Sequence, residues 1–414
     1  MLGDNLESRF STWLLRPYLD LGPFQIGPAH AGSIEAGWQA FANPDGPPFI
    51  PQRALAPGFR DQLAEQAGRD YALGDPRELA DHLRTERWRT LCDSIDGWAD
   101  LPAARKSRLA ALLHSLCFYD LLLALIAEHE AAASTADPHA GELAFCRASA
   151  QFMANLATRR AGWDAETMSC FEHLALDCDG HPHVRFNATA MMLVQKAKTK
   201  APAEDLAEWG NRLESAIAAV GPSDECFISR LLRSRFYRGM GFVPQRTGDR
   251  AELVRIMDLA EHHARNLRPA TPAQELLARE NLHAVMESRT KEAIWLNEME
   301  LATTRATEVT RVDPYDSKAW VELGQVHYLR EDWRKAAEAY AVAAILGPPA
   351  SLVGRHMAAV CLRELGLDVF AAFLFKETLE IDPQGISPRQ EIFDLPSTEL
   401  TRALKQWGHS TIRL

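Results

Sequence analysis

The chain has no CxxC pair, no basic-then-apolar leader, and only 9 lysines against 36 arginines in 414 residues. Each absence excludes something. Seven scattered cysteines (Cys92, Cys117, Cys146, Cys170, Cys178, Cys226 and Cys361) are an odd set without paired spacing. They exclude a disulfide framework and a zinc knuckle, and most read as small core residues in a reducing, cytoplasmic compartment. Met1 to Phe10 holds acids where a secretory leader needs bases. GxSxG, HExxH, Walker and GxGxxG patterns are all missing, so no reaction class is written locally. With 24 glycines and 23 prolines the chain is no collagen or low-complexity polymer. The arginine bias is a compositional hint of a GC-rich bacterial genome.

What is present is a globular composition, 47% hydrophobic and 24% charged. The length predicts two to four domains or one repeat array. The net charge of -11 leads to the expectation that nucleic acid and anionic membranes are not partners. The longest apolar run, Leu109 to Ala127, is 19 residues and just long enough to cross a bilayer. His114 and Asp120 sit inside it. An ionisable group at mid-membrane costs about 2.5–3.5 kcal/mol on the gentlest scale, so the run is predicted to be a buried helix over 109–127.

The C-terminal third is the most regular. Trp320, Leu323, Val326 and His327 share one helical face, and Trp333, Ala336, Ala337, Tyr340 and Ala343 share the next. Asp316 and Ser317 supply cap chemistry, and Pro348 and Pro349 end the pair. Numbered from Ser317, Trp320, Leu323, Gly324, Ala336, Tyr340, Ala343 and Pro348 stand at positions 4, 7, 8, 20, 24, 27 and 32 of a 34-residue pattern. Pro314 precedes Pro348 by the same 34 residues. This segment resembles the tetratricopeptide repeat (TPR), a helix–turn–helix unit. A second unit, Ser351 to Pro383, keeps Gly366, Ala371 and Phe375 but has Gly354 where a large residue is usual. A last helix from Pro396, with Leu400, Leu404 and Trp407 on one side, reads as the solvating cap.

Upstream, helix pairs continue without the consensus, at about 183–200 and 203–220, 224–241 and 249–267, and 272–290 and 292–311. Leu21 to Phe59 holds seven prolines and six glycines. It is predicted to be an irregular arm without a useful helix, either a lid or an extended strap. The expected partition is 1–140, with the arm and then helices; 141–316, degenerate TPR-like pairs; 317–383, TPR repeats; and 384–414, the cap. The fold class is all-α, a TPR-like helix-hairpin solenoid.

Candidate sites follow from these registers. In TPR arrays the first helix of each pair lines the groove. The resemblance therefore implies that Lys318, Gln325, Tyr328 and Arg355, with Asn187 and Arg235 further upstream, face a protein or peptide partner. Val321 and Gln325 stand where the chaperone-binding members carry a carboxylate clamp, which argues against that partner class. Arg230, Arg233, Arg235, Arg238, Arg246 and Arg250 fall within 21 residues and form a local anion patch, by forks that bind carboxylates or phosphates, or else pair with neighbouring acids. Glu280 and His283 form an i, i+3 pair of the kind used in di-metal carboxylate bundles, with His262 and His263 on the preceding helix. Glu172 to His183 clusters His173, Asp177, Cys178, Asp179, His181 and His183, in no standard zinc spacing. The leading functional reading is a non-catalytic scaffold without a cofactor, leaving room for a homodimer. The alternative is a tailoring enzyme on a peptide or small molecule, with a transition metal at Glu280 and His283 and the arm as lid.

Overall fold

The computed structural model describes residues 28–44, 75–127, 139–157, 164–177, 181–221, 226–346, 350–381, 394–400, 402–403 and 405–406. Every regular element among them is helical. The chain divides into two compact units at Val285/Met286, a partition that composition and repeat register do not draw.

The N-terminal unit opens with α1 (Pro28–Ala42), α2 (Glu86–Asp96), α3 (Ala103–Ser115), α4 (Tyr119–Ala127) and α5 (Ala140–Ala157). It continues with α6 (Ala165–Leu176), α7 (Pro182–Lys198), α8 (Ala203–Val220), α9 (Phe227–Met240), α10 (Phe242–Thr247) and α11 (Arg250–Arg265). The division falls within α12 (Pro272–Leu296). The C-terminal unit adds α13 (Met299–Val312), α14 (Ser317–Leu329), α15 (Trp333–Leu346), α16 (Ser351–Glu364) and α17 (Asp368–Ile381).

Two expectations are corrected. The arm was expected to hold no useful helix, yet α1 forms within it. Ile34, Trp38 and Phe41 recur at i, i+4 and i+7 and are all buried. Trp38 meets Trp88 at 6.2 Å between ring centroids, and Trp88 meets Phe118 at 6.3 Å. Tertiary burial of that stripe outweighs the unfavourable glycines, and Pro28 stands at the first position, where a missing N–H costs nothing. Residues 21–27 and 45–59 lie outside the described residues.

The apolar run is also not one helix. It breaks at Cys117, whose φ is 65°. The Phe118 N–H donates to the Leu113 carbonyl at 2.9 Å and the Cys117 N–H to that of His114 at 3.0 Å, a Schellman ending built without glycine. No described helix is long and apolar enough to cross a membrane.

Caps lie where short polar residues precede helices. Thr85, Asp164, Asp249 and Asp316 each accept a backbone N–H of the first turn. The long C-terminal helices expected at 272–290 and 292–311 form as α12 and α13, parted at Asn297 (φ 64°).

The C-terminal unit packs by close approach. Tyr340 is fully buried, and a Cβ on Gly324 would lie 2.7 Å from its ring. Gly354, the apparent lapse in the second repeat, has a physical cause. A Cβ there would meet the Tyr340 carbonyl oxygen at 2.7 Å and the Ala343 Cβ at 2.9 Å, so α15 and α16 cross almost backbone to backbone. Leu395 and Leu400 pack on the same core as Phe375 and Leu379. The Leu404 side chain and Trp407 of the expected cap lie outside the described residues.

Candidate functional site

Charged side chains sit inside the C-terminal unit on the first helices of successive pairs. Glu287 is buried, and Lys291 follows it one turn later on α12. On α14, Lys318 and Glu322 are likewise one turn apart. Glu322 is only 7% exposed. Its Oε1 lies 3.2 Å from the Lys291 Nζ, and its Oε2 is buried without a hydrogen-bond partner. Burial pushes the Glu322 carboxyl above the ordinary carboxylate range. Lys291 draws it down, Glu287 raises it and Lys318 draws it down. Periodicity missed Glu287, Lys291 and Glu322. The i, i+4 spacing of Glu287 with Lys291 and of Lys318 with Glu322 was the available signal.

The groove residues expected from the TPR register fare unevenly. Lys318 and Gln325 are half-buried on α14. The Tyr328 ring meets Trp333 edge-on at 5.1 Å, and Arg355 pairs with Glu377 at 3.4 Å. Asn187 is buried, and its amide donates to the His183 carbonyl one turn back, a bond that holds it within its own helix. Arg235 is half-buried on α9. Withdrawal from water lowers its guanidinium to about 10, against the pull of Glu280, with Arg238 lowering it further.

Glu280, the first residue of the expected metal pair, is committed elsewhere. Its carboxylate accepts from the Ser33 N–H at 2.8 Å and the Ser33 hydroxyl at 2.7 Å. Both residues are buried, although 247 positions separate them. His283 is fully buried. His263 lies flat on Tyr237, with centroids at 5.3 Å and planes 9° apart. The His262 Nδ1 is 3.3 Å from the Asn266 amide on its own helix. Glu280, His262 and His263 therefore each have a separate partner.

The arginine patch is partly a brace. Arg246 donates to the carbonyls of Lys200 and Ala201 at 2.9 and 3.1 Å, and Arg230 reaches the Asn266 carbonyl at 3.4 Å. Arg230, Arg233 and Arg238 are half-buried along α9.

The histidine-rich stretch does converge, on a group that no sequence pattern named. Glu142, in the first turn of α5, is buried with Arg108 and Ser107 of α3, both of which donate to it. Its other oxygen lies 3.2 Å from the His139 Nδ1. The Glu142 charge also reaches His181 and His183. The His181 Nδ1 accepts the His183 N–H at 3.2 Å, and burial holds His183 down to about 4. Two helical turns along the same pair of helices, the His114 Nε2 and Ser149 hydroxyl lie 2.7 Å apart. Cys178 and Asp179 lie outside the described residues.

No protein-family model matches the chain, and no curated protein does. Among solved structures, the chain is similar along its whole length to human IFIT1, seen as a dimer with PPP-AAAA. The TM-score is 0.50 at 13% identity, covering 100% of this chain and 96% of that one.

The fold is TPR-like.

At that identity the likeness speaks for the helical architecture alone. It also corrects the expectation that nucleic acid is no partner, because a TPR-like chain of this length is found with PPP-AAAA. The physical reason is that phosphate contacts depend on where cations stand, not on the net charge of the whole chain.

Proposed function

We propose that this chain is a non-catalytic binding scaffold that takes a peptide or protein segment along the first helices of its C-terminal pairs. The observation that supports this most is the set Glu287, Lys291, Lys318 and Glu322, charges borne on two adjoining helices with both carboxylates withdrawn from water. Burying an ion pair adds little or nothing to stability. A charge set of this kind is better explained by a guest that it recognises. The partners of Glu280, His262 and His263 do not support the four-residue metal set on which the tailoring-enzyme alternative was drawn.

A second reading has its own support. The α9 arginines form the densest basic row of the chain, and the TPR-like human IFIT1 is seen with PPP-AAAA. Under that reading the N-terminal unit holds a phosphate-bearing nucleic-acid end.

Fluorescence anisotropy separates the two. Labelled nonapeptides of basic, neutral and acidic composition, and labelled PPP-AAAA, are titrated with the full chain. Saturable peptide binding, weakened by Lys318→Ala with Arg355→Ala, supports the first reading. Saturable PPP-AAAA binding that is lost in Arg230→Ala with Arg233→Ala moves the assignment to the second. Failure of both probes at every accessible concentration sinks both.

A further inference from the structure

Resting on the peptide-scaffold reading, we propose that Glu322 and Glu287 form a subsite for a cationic side chain of the guest, a guanidinium or an ammonium, which Lys291 fills while the guest is absent. The geometry behind this is unusual for an ordinary ion pair. The Glu322 side chain is 9% exposed, whereas its partner Lys291 is 57% exposed. The carboxylate is fixed inside the unit, and its counter-ion arrives from the solvent side on a flexible stem. Only Oε1 is engaged, at 3.2 Å. Oε2 is buried with no donor, an arrangement that is costly to leave unmade. A single ammonium thus serves half of the carboxylate.

The chemistry of the gap selects its occupant. An ionised carboxylate only accepts hydrogen bonds. A second buried carboxylate, Glu287, bears on the same place and disfavours the charged form of Glu322. A phosphate or an acidic side chain would add a third negative group and is excluded. A planar guanidinium offers two parallel N–H donors, matching both oxygens at once, while an ammonium satisfies one oxygen at a time. Lys318 one turn away keeps the site near neutrality when empty, so that an arriving cation displaces Lys291 and need not enter an already positive pocket. The bland explanation is that Glu322 and Lys291 simply tie α12 to α14. It accounts for Oε1 and leaves Oε2 without a role.

The test uses the full chain and labelled nonapeptides of one alanine–glycine frame, carrying arginine, lysine, citrulline or glutamate at the centre. Citrulline keeps the shape of arginine without its charge. The expected result is roughly tenfold tighter binding of the arginine peptide than of the citrulline one, as for loss of a charge-assisted fork. Glu322→Gln brings the arginine peptide to the citrulline level, and Lys291→Ala tightens it several-fold by removing the placeholder. Comparison of arginine with lysine tells guanidinium from ammonium. Equal binding of all four peptides, or an arginine preference that survives Glu322→Gln, overturns the subsite while leaving the scaffold reading intact. Absence of binding by every peptide sinks the scaffold reading and the subsite together. Circular dichroism of Glu322→Gln, an isosteric change, checks that the variant keeps its helices.

Discussion

The two units solve the same problem, packing helix on helix, with different materials. In the C-terminal unit a short period sets the contacts: Gly324, Ala336, Tyr340, Ala343 and Gly354 bring helix surfaces to near contact. Its buried charges include Glu287 and Glu322, and also Arg289 paired with Glu292 at 2.8 Å. In the N-terminal unit the period has dissolved, and buried polar groups meet one by one across long stretches of chain. Ser33 meets Glu280, Arg108 and Ser107 meet Glu142, and His114 meets Ser149. A repeat supplies close packing wherever its consensus is kept. Without it, polar groups inside must find individual partners, because an unmet one is costly.

The largest effect expected from this difference is at Glu142. Glu142→Ala leaves Arg108 buried without its carboxylate and destabilises the N-terminal unit by about 3–5 kcal/mol, measured by urea unfolding. Arg108→Met with Glu142→Leu in one chain recovers most of that loss. A Glu142→Ala protein as stable as the wild type would erase the distinction between the units.

Next comes volume in the C-terminal unit. Gly354→Ala places a methyl against the Tyr340 carbonyl, which belongs to backbone and cannot swing aside. Overpacking of this kind costs about 1–3 kcal/mol, read from the shift in the denaturant midpoint. Glycine-to-alanine in an open helix position would instead stabilise.

Caps should not discriminate. Asp164→Ala in one unit and Asp316→Ala in the other each remove a side-chain acceptor from a first-turn N–H, at about 1 kcal/mol apiece.

The most telling effect is in pH. His114 is buried and held down to about 3 by desolvation, and His183 to about 4. Unfolding lets both take up protons at their ordinary 6.5. Their contribution is therefore full above about pH 6.5 and is lost as pH falls toward 4 and 3. Glu322 runs the other way. Its folded carboxyl is raised above 4.5, so its charged form is a burden that eases as pH falls through the raised value toward 4.5. Hydrogen exchange, corrected for intrinsic rate, is expected to show the N-terminal unit loosening below about pH 6.5, while Glu322 works in the opposite direction within the C-terminal unit. Glu322→Gln should flatten the second trend alone.

Much of the C-terminal unit was legible in the residues. Trp320, Leu323, Gly324, Ala336, Tyr340 and Ala343 lie within one 34-residue period, and local spacing suffices to place α14 and α15. Helix α1 was not legible, because the prolines around it and its two glycines argue for a loop. Only the burial of Ile34, Trp38 and Phe41 against distant helices decides otherwise. The break at Cys117 escaped notice for the opposite reason, since nothing in Leu116-Cys117-Phe118 punctuates the chain. Of the charge set, Lys318 was singled out by register as an expected groove residue. Its partners were not, because Lys291 and Glu322 are 31 positions apart and no period links them. Glu280 read as a metal ligand because its true partner, Ser33, lies at the other end of the unit.

The bonds between α3 and α5 share one arithmetic. Ser107 with Glu142 and His114 with Ser149 are each separated by 35 positions, so the two helices run side by side in the same direction, with rungs seven residues apart. A change in the length of the connection between them shifts both numbers together. One residue inserted inside α3 between the rungs turns its far end by about 100° and breaks one of them. The ladder thus acts as a gauge, indifferent to how the chain travels between its rails and intolerant of any slip along them.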